Sequence, residues 1–485
     1  MKILVVGLDC AAPELLLGEP LPNIRRLMEA GAYGRLESIV PPITVPAWMS
    51  MSTSRDPGVL GVYGFRNRVD HSYAGMRTAD SRWFRALTMW DQVAIQGGRS
   101  VIVGVPPSYP PRPINGVSVG CFLTPDTATS TYTHPASAAD RIRAWVGEYP
   151  VDVKGFRTEE KDKLQADVLA MTRKHFEVVR RLMVEEPWDY FHFVEIGLDR
   201  IHHGFWKHHD PKHVRHDPSN PYKDVVRDYY RLLDHEIGTV LGLLDADTLV
   251  LVVSDHGARA LDGGFCVNEW LADQGDLALR VRPSTPTPFE ELDVDWARTR
   301  AWSSGGYYAR IFLNVRGREP EGTIAPQDYD RVRDELAARL EATTDPDGKP
   351  LGTKVFRPED IYRRVEGIAP DLIVHFGDLA WRAVGGVGWG SVHVQENDTG
   401  PDDCNHAQFG AFVLAGPGVP ALGELKGAKL LDIAPTLLEH AGYDVPEGMQ
   451  GTALVRAAPA DGAPAGEQDD DALVRERLRG LGYLG

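Results

Sequence analysis

Four short stretches of the chain carry side chains suited to holding metal ions. "VVGLD" ends on Asp9, and "VEIGLDRIHHGFW" carries Asp199 with His202 and His203 three and four residues later. "VVSDHG" supplies Asp255 and His256, and "CNHAQFGAF" supplies Asn405 and His406. Carboxylates and imidazoles without thiolates suit zinc or manganese. Two such ions about 4 Å apart clamp a phosphoryl group, one activating the nucleophile and the other holding an attacking or leaving oxygen. A fifth stretch, "PPITVPAWMS" (41–50), places Thr44 on the last irregular residues before a helix primed by Pro46. A threonine there is ordinarily a helix cap. A metal-coordinated hydroxyl loses its proton easily, so Thr44 is also a candidate nucleophile toward phosphorus.

These residues need a scaffold that gathers them. Continuous apolar runs alternate with helical patterns: "KILVVGL" (2–8), "SVIVGV" (100–105), "DYFHFVEIGL" (189–198), "TLVLVVSD" (248–255) and "GAFVLAG" (410–416). Helices are expected at 23–31, about 161–186, 224–245 and 430–442. Buried strands alternating with helices predict an α/β fold, a doubly wound and mostly parallel sheet with helices on both faces. Ligands in such sheets collect beyond the carboxyl ends of the strands, where the Asp and His residues fall. Residues 106–160, rich in Pro, Ser and Thr, read as an excursion over the sheet edge. Residues 275–400 read as a smaller inserted α+β subdomain, which leaves 1–274 and 401–455 as the catalytic core. From 456 the chain reads as a flexible acidic tail ending in a short helix.

Composition limits the function. The 485 residues include 43% hydrophobic and 25% charged residues, ordinary for a globular protein. Lys+Arg of 52 against Asp+Glu of 69 gives a net charge of −17, which opposes nonspecific binding to nucleic acid or anionic membrane. The cysteines Cys10, Cys121, Cys266 and Cys404 form no CxxC pair. No stretch approaches the roughly 20 apolar residues of a membrane span. A cytoplasmic location is expected.

In order along the chain, "GLDC", "PPITVPAW", "GLDRIHHGFW", "VVSDHG" and "NHAQFGAFVLAGPG", then "LLDIAPTLLEHAGYDVPEGMQG", give a sequence that resembles the alkaline phosphatase superfamily. It is most similar to the type I phosphodiesterase/nucleotide pyrophosphatase group and the phosphohydrolase/phosphomutase branch beside it, over residues 1–451. The resemblance implies one divalent ion held by Asp9, Thr44, Asp255 and His256, and another held by Asp199, His203 and His406. The family's Asp-x-x-x-His spacing selects His203 over His202. Its His-x-x-x-Gly-x-Phe pattern selects His406, matched by Gly410 and Phe412. Zinc is the expected metal, with manganese as the alternative. Related sulfatases carry their modified cysteine where this chain has Thr44, so a sulfatase is disfavoured. One departure stands out: the asparagine that holds a phosphate oxygen in the pyrophosphatases aligns with Phe65. Asn67, Arg66 or Arg68 are candidate substitutes, and Arg259 is a further candidate phosphate contact.

The implied activity is hydrolysis of a phosphodiester or pyrophosphate through a covalent phosphate ester on Thr44. A phosphomonoesterase or phosphomutase of the same superfamily is the alternative, and a non-catalytic metal-stabilised binding protein ranks third. The expected partner is a phosphorylated small molecule. The clustered His202, His208 and His209 are expected in solvent, and Phe205 and Trp206 in packing.

Overall fold

The computed structural model describes residues 1–395 and 398–455. The acidic tail expected from 456 lies outside the described residues. The protein has a mixed α/β fold around one large sheet. Its strands run in the order Gly423–Glu424, Ala32–Glu37, Phe409–Ala415, Thr248–Val253, Lys2–Leu8, Tyr190–Glu195, Ser100–Val103, Gly116–Val119 and Thr133–His134. The pairings from Thr248–Val253 across to Gly116–Val119 are parallel. Phe409–Ala415 runs antiparallel to both its neighbours.

Strand Lys2–Leu8 shows why the runs are apolar throughout. Leu4, Val6 and Leu8 pack into one buried layer with Phe176, Ile201 and Tyr229. Ile3 and Val5 face the other, with Trp48, Met51 and Leu437. Successive side chains alternate sides, and helices cover both.

Three expectations change. The strand expected over 189–198 stops at Glu195, and a helix runs Gly197–His209. The Gly197 N–H donates to Glu195 Oε1 at 2.8 Å. A Cβ on Gly197 would lie 2.1 Å from the Tyr229 hydroxyl and 2.6 Å from Glu195 Oε1, so any larger residue here would have to displace them. The segment 106–160 is not merely an excursion over the sheet edge: Gly116–Val119 and Thr133–His134 extend the sheet, and helix Ala138–Val146 follows.

Within 275–400, Ala301–Ser304, Ala309–Leu313, Leu372–His375 and Lys354–Phe356 form a separate antiparallel sheet, accompanied by helix Tyr329–Glu341. The apolar core under it also contains Phe265, Val267 and Leu271. Strand Gly263–Cys266 pairs with Trp381–Val384 and His393–Val394. Packing therefore continues across the expected boundary at 274.

Candidate active site

Helix Thr44–Thr53 begins with Thr44 itself, two residues earlier than a start at Pro46 would give. Its first backbone bond runs from Ala47 N–H to the Ile43 carbonyl at 2.9 Å, and no side chain caps it. The Thr44 hydroxyl is thus not spent on the helix. It is buried and lies 3.3 Å from His256 Nε2.

Two groups of ligating atoms converge here: Asp9, Asp255 and His256, and Asp199, His203 and His406. Within each, the atoms lie within 4.8 Å of one another. The main-sheet strands Lys2–Leu8 and Thr248–Val253 deliver Asp9, Asp255 and His256 from their carboxyl ends. Helix Gly197–His209 carries Asp199 and His203 on one face, four residues apart. His406 comes from Cys404–Ala407, which pairs with Gly257–Ala260 in a small two-stranded ribbon beside the sheet.

Four of the six present one atom fixed by the protein and another left bare, and His256 presents one fixed nitrogen and one that meets Thr44. Asp9 Oδ2 accepts from Trp48 Nε1 at 2.8 Å, and Asp255 Oδ1 accepts from the Cys10 N–H at 3.3 Å. Asp199 Oδ2 accepts from Arg200. His256 Nδ1 donates to the Gly257 carbonyl at 3.2 Å, and His406 Nδ1 to that of Pro42 at 3.0 Å. The bare atoms Asp9 Oδ1, Asp199 Oδ1, Asp255 Oδ2 and His406 Nε2 are buried with no hydrogen-bond partner, and His256 Nε2 meets only the Thr44 hydroxyl and carboxylates. His203 Nδ1 is likewise fixed, 2.6 Å from Asp402 Oδ1, while its Nε2 lies 3.3 Å from Asp199 Oδ1. Bare buried acceptors are costly alone, and outer partners that fix the far side of each ligand are what a metal site requires. The donor set fits divalent ions.

Electrostatics agree. Burial, reinforced by the charge of Asp199, raises the Asp9 carboxyl well above the usual range. Burial and the nearby Asp9 do the same to Asp255. Burial pushes His256 down to about 4, and burial with His256 beside it holds His406 well below an ordinary imidazole. Burial also disfavours charge on His203, but Asp402 and its other anionic neighbours win and raise it. Burial pushes the Cys404 thiol up to about 12 and Cys10 well above the ordinary range, so both thiols stay protonated.

The expected phosphate contacts are not brought in. Asn67 is buried in a turn, accepting from Tyr63 N–H at 2.7 Å and donating to the Gly64 carbonyl at 2.9 Å. Arg66 pairs with Glu290 at 3.1 Å on the surface. Arg259 donates to the Asp378 backbone carbonyl beside a separate groove. Arg68 is buried against Glu319 at 3.1 Å. His202 is not in solvent, its ring packing on Trp206 and Tyr230.

The sequence reading missed Asp402, Tyr307, Arg157, Arg200 and Arg382. Asp402 receives Arg157 Nε at 2.9 Å and Arg382 Nη1 at 3.3 Å in addition to His203. Arg200 forks onto Asp152 at 2.9 and 2.6 Å. The acidic pair preceding "CNH" was the one available signal for Asp402.

Carboxylate and imidazole ligands clustered beyond the carboxyl edge of a mostly parallel sheet suit a metal-dependent hydrolase. More narrowly, the chain belongs to the type I phosphodiesterase / nucleotide pyrophosphatase family, whose model matches residues 3–402. A search of curated proteins returns no match. Among solved structures, murine ectonucleotide pyrophosphatase / phosphodiesterase 5 is similar, with a TM-score of 0.53 and 15% identity over 92% of this chain and 96% of that one. An inactive form of the same murine protein was solved in complex with AMP, at 14% identity and a TM-score of 0.53. Phosphonoacetate hydrolase from Sinorhizobium meliloti, in complex with phosphonoformate, has a TM-score of 0.57 and 17% identity over 90% of this chain and 94% of that one. At these identities the likeness is one of fold.

Proposed function

We propose that the protein hydrolyses a phosphodiester or pyrophosphate by way of a covalent phosphate ester on Thr44. The observation that carries this is the set of bare atoms turned toward one another beside a buried hydroxyl free of any capping role. Asp9, Asp255, His256 and Thr44 would hold one divalent ion, and Asp199, His203 and His406 another. Zinc fits the nitrogen and carboxylate donors, with manganese as the alternative. Bound there, the ions would lower the proton affinity of the Thr44 hydroxyl and offset charge on the phosphoryl oxygens.

Thr44 Oγ1 then attacks phosphorus, the bond to the leaving oxygen breaks, and water hydrolyses the resulting ester. Helix Thr44–Thr53 fixes the hydroxyl, and Trp48, one turn further on, fixes Asp9. Charge favours a diester. Five carboxylates (Asp9, Asp152, Asp199, Asp255 and Asp402) face three guanidinia (Arg157, Arg200 and Arg382). With two divalent ions the balance is two positive charges. An ionised Thr44 and a singly charged diester cancel it, whereas a monoester dianion overshoots.

The substrate is taken to be a small molecule, because the net charge of −17 opposes polyanions. The four cysteines, all free and buried, support a reducing cytoplasmic setting. Among the described residues no helix is long and apolar enough to cross a membrane. The direct test is acid quenching during turnover of a nitrophenyl diester, followed by mass spectrometry of the peptide carrying Thr44. A phosphoryl adduct on Thr44 is expected, and an adduct on another side chain would overturn the assignment.

A further inference from the structure

Asn67, Arg66, Arg68 and Arg259 spend their polar atoms elsewhere, which leaves the groups beside the ligands themselves to meet a phosphoryl oxygen. Tyr307 is placed for it. Its hydroxyl lies 3.3 Å from His203 Nε2, the nitrogen that also faces Asp199 Oδ1. Its ring lies flat on His406, with centroids 4.0 Å apart and planes 24° apart. His406 in turn stacks on His256, whose Nε2 meets the Thr44 hydroxyl. Tyr307 thus closes one end of a ring stack that has Thr44 beside its other end.

The hydrogen bonds set the direction of the phenol proton. Arg157 Nη2 donates to the Tyr307 oxygen at 2.5 Å. A guanidinium only donates, so the phenol hydrogen points onward to an acceptor. With His203 Nδ1 turned to Asp402, the neutral, metal-binding form of His203 offers Nε2 as the acceptor nearby. Once that nitrogen is committed to a metal ion, the hydroxyl needs a replacement within the site. We propose that Tyr307, oriented by Arg157, donates its hydroxyl hydrogen to a non-bridging phosphoryl oxygen of the substrate. This rests on the reading of Thr44 as nucleophile. Asp402 neutralises Arg157 at 2.9 Å, so the contact adds a donor without adding net charge, which suits a singly charged phosphodiester.

Tyr307→Phe keeps the ring and its stack and removes only the hydroxyl. Elemental analysis should find the metal content of the wild type. Calorimetry of orthovanadate binding to the metal-loaded protein should show about tenfold weaker affinity. On a nitrophenyl diester, kcat should fall about ten- to a hundredfold while KM stays within about threefold. Thr44→Ala is measured alongside. If Thr44→Ala turns over normally, the nucleophile reading fails whatever Tyr307 does. If Thr44→Ala is inactive while Tyr307→Phe binds vanadate and turns over like the wild type, the Tyr307 assignment alone is overturned. Loss of metal from Tyr307→Phe also overturns it, because the hydroxyl would then be holding His203 in place.

Discussion

His256 and His406 lie face to face, with ring centroids 3.8 Å apart and planes 18° apart, although each belongs to a different ligand group. Two imidazolium rings so close would repel. Burial keeps both neutral, which is the form that binds metal. The contact joins the two halves of the site, so disturbance of one ring reaches the other.

Metal content tests the pairing. The wild type should bind about two divalent ions per chain, and Asp199→Asn or His406→Ala about one. His406→Ala should also weaken the remaining site, because His256 loses its stacking partner, whereas Asp199→Asn leaves that stack in place. Active enzyme without bound metal on elemental analysis would end the two-ion reading.

Removing the Thr44 hydroxyl separates chemistry from structure. Since no cap is lost, Thr44→Ala should melt close to the wild type and keep most of its metal, while kcat falls by about a thousandfold or more. Thr44→Ser should retain activity within about tenfold. Wild-type turnover by Thr44→Ala would show the hydroxyl to be a bystander.

Metal uptake should release protons, the more so as pH falls. His256 and His406 are already neutral, so an ordinary imidazole does not set the acid limit. Asp9, Asp255 and His203 have raised affinities for protons and must give them up to bind metal. Protons therefore compete with metal more strongly as pH falls, and affinity should fall with it. Calorimetry in two buffers of different ionisation enthalpy reads the release directly, and equal heats in both would contradict it.

Gly197→Ala probes the turn that delivers Asp199 and His203. The added carbon would sit 2.1 Å from the Tyr229 hydroxyl, so either the helix start or the Tyr229 side chain must shift. A loss of about 1–3 kcal/mol in stability is expected, together with weaker metal retention in the Asp199 group. An unchanged melting curve and metal content would show that the turn has slack.

Diesters should be preferred over monoesters. The ratio of kcat/KM for bis-nitrophenyl phosphate to that for nitrophenyl phosphate should exceed one in the same preparation. A ratio well below one would bring a monoesterase or mutase reading forward.

What the sequence disclosed and what it hid follow from chain distance. Asp9 and Asp255–His256 end apolar runs whose strand character is local, and those strands are neighbours in the sheet. The stop at Glu195 was hidden because "VEIGL" is apolar in either conformation, and the decisive contact comes from Tyr229, on another helix. Asp402 meets His203 across 199 positions, and Tyr307 meets it across 104. Neither has a local pattern, since both are placed by tertiary packing. Arg66, Asn67 and Arg259 were chosen for closeness in sequence, but their side chains turn to nearer partners.

Asp402 also limits how this enzyme's parts can be exchanged. Its carboxylate gathers Arg157 from the early segment, His203 from the helix after the central strand and Arg382 from the later sheet region. Loops that shape a cleft are often treated as interchangeable cassettes, but here three distant stretches share one buried counter-charge. A chimera that imports 106–160 from a relative without an arginine at 157 would leave that counter-charge under-matched. Successful recombination must carry the three segments together, and natural divergence of the cleft walls faces the same constraint.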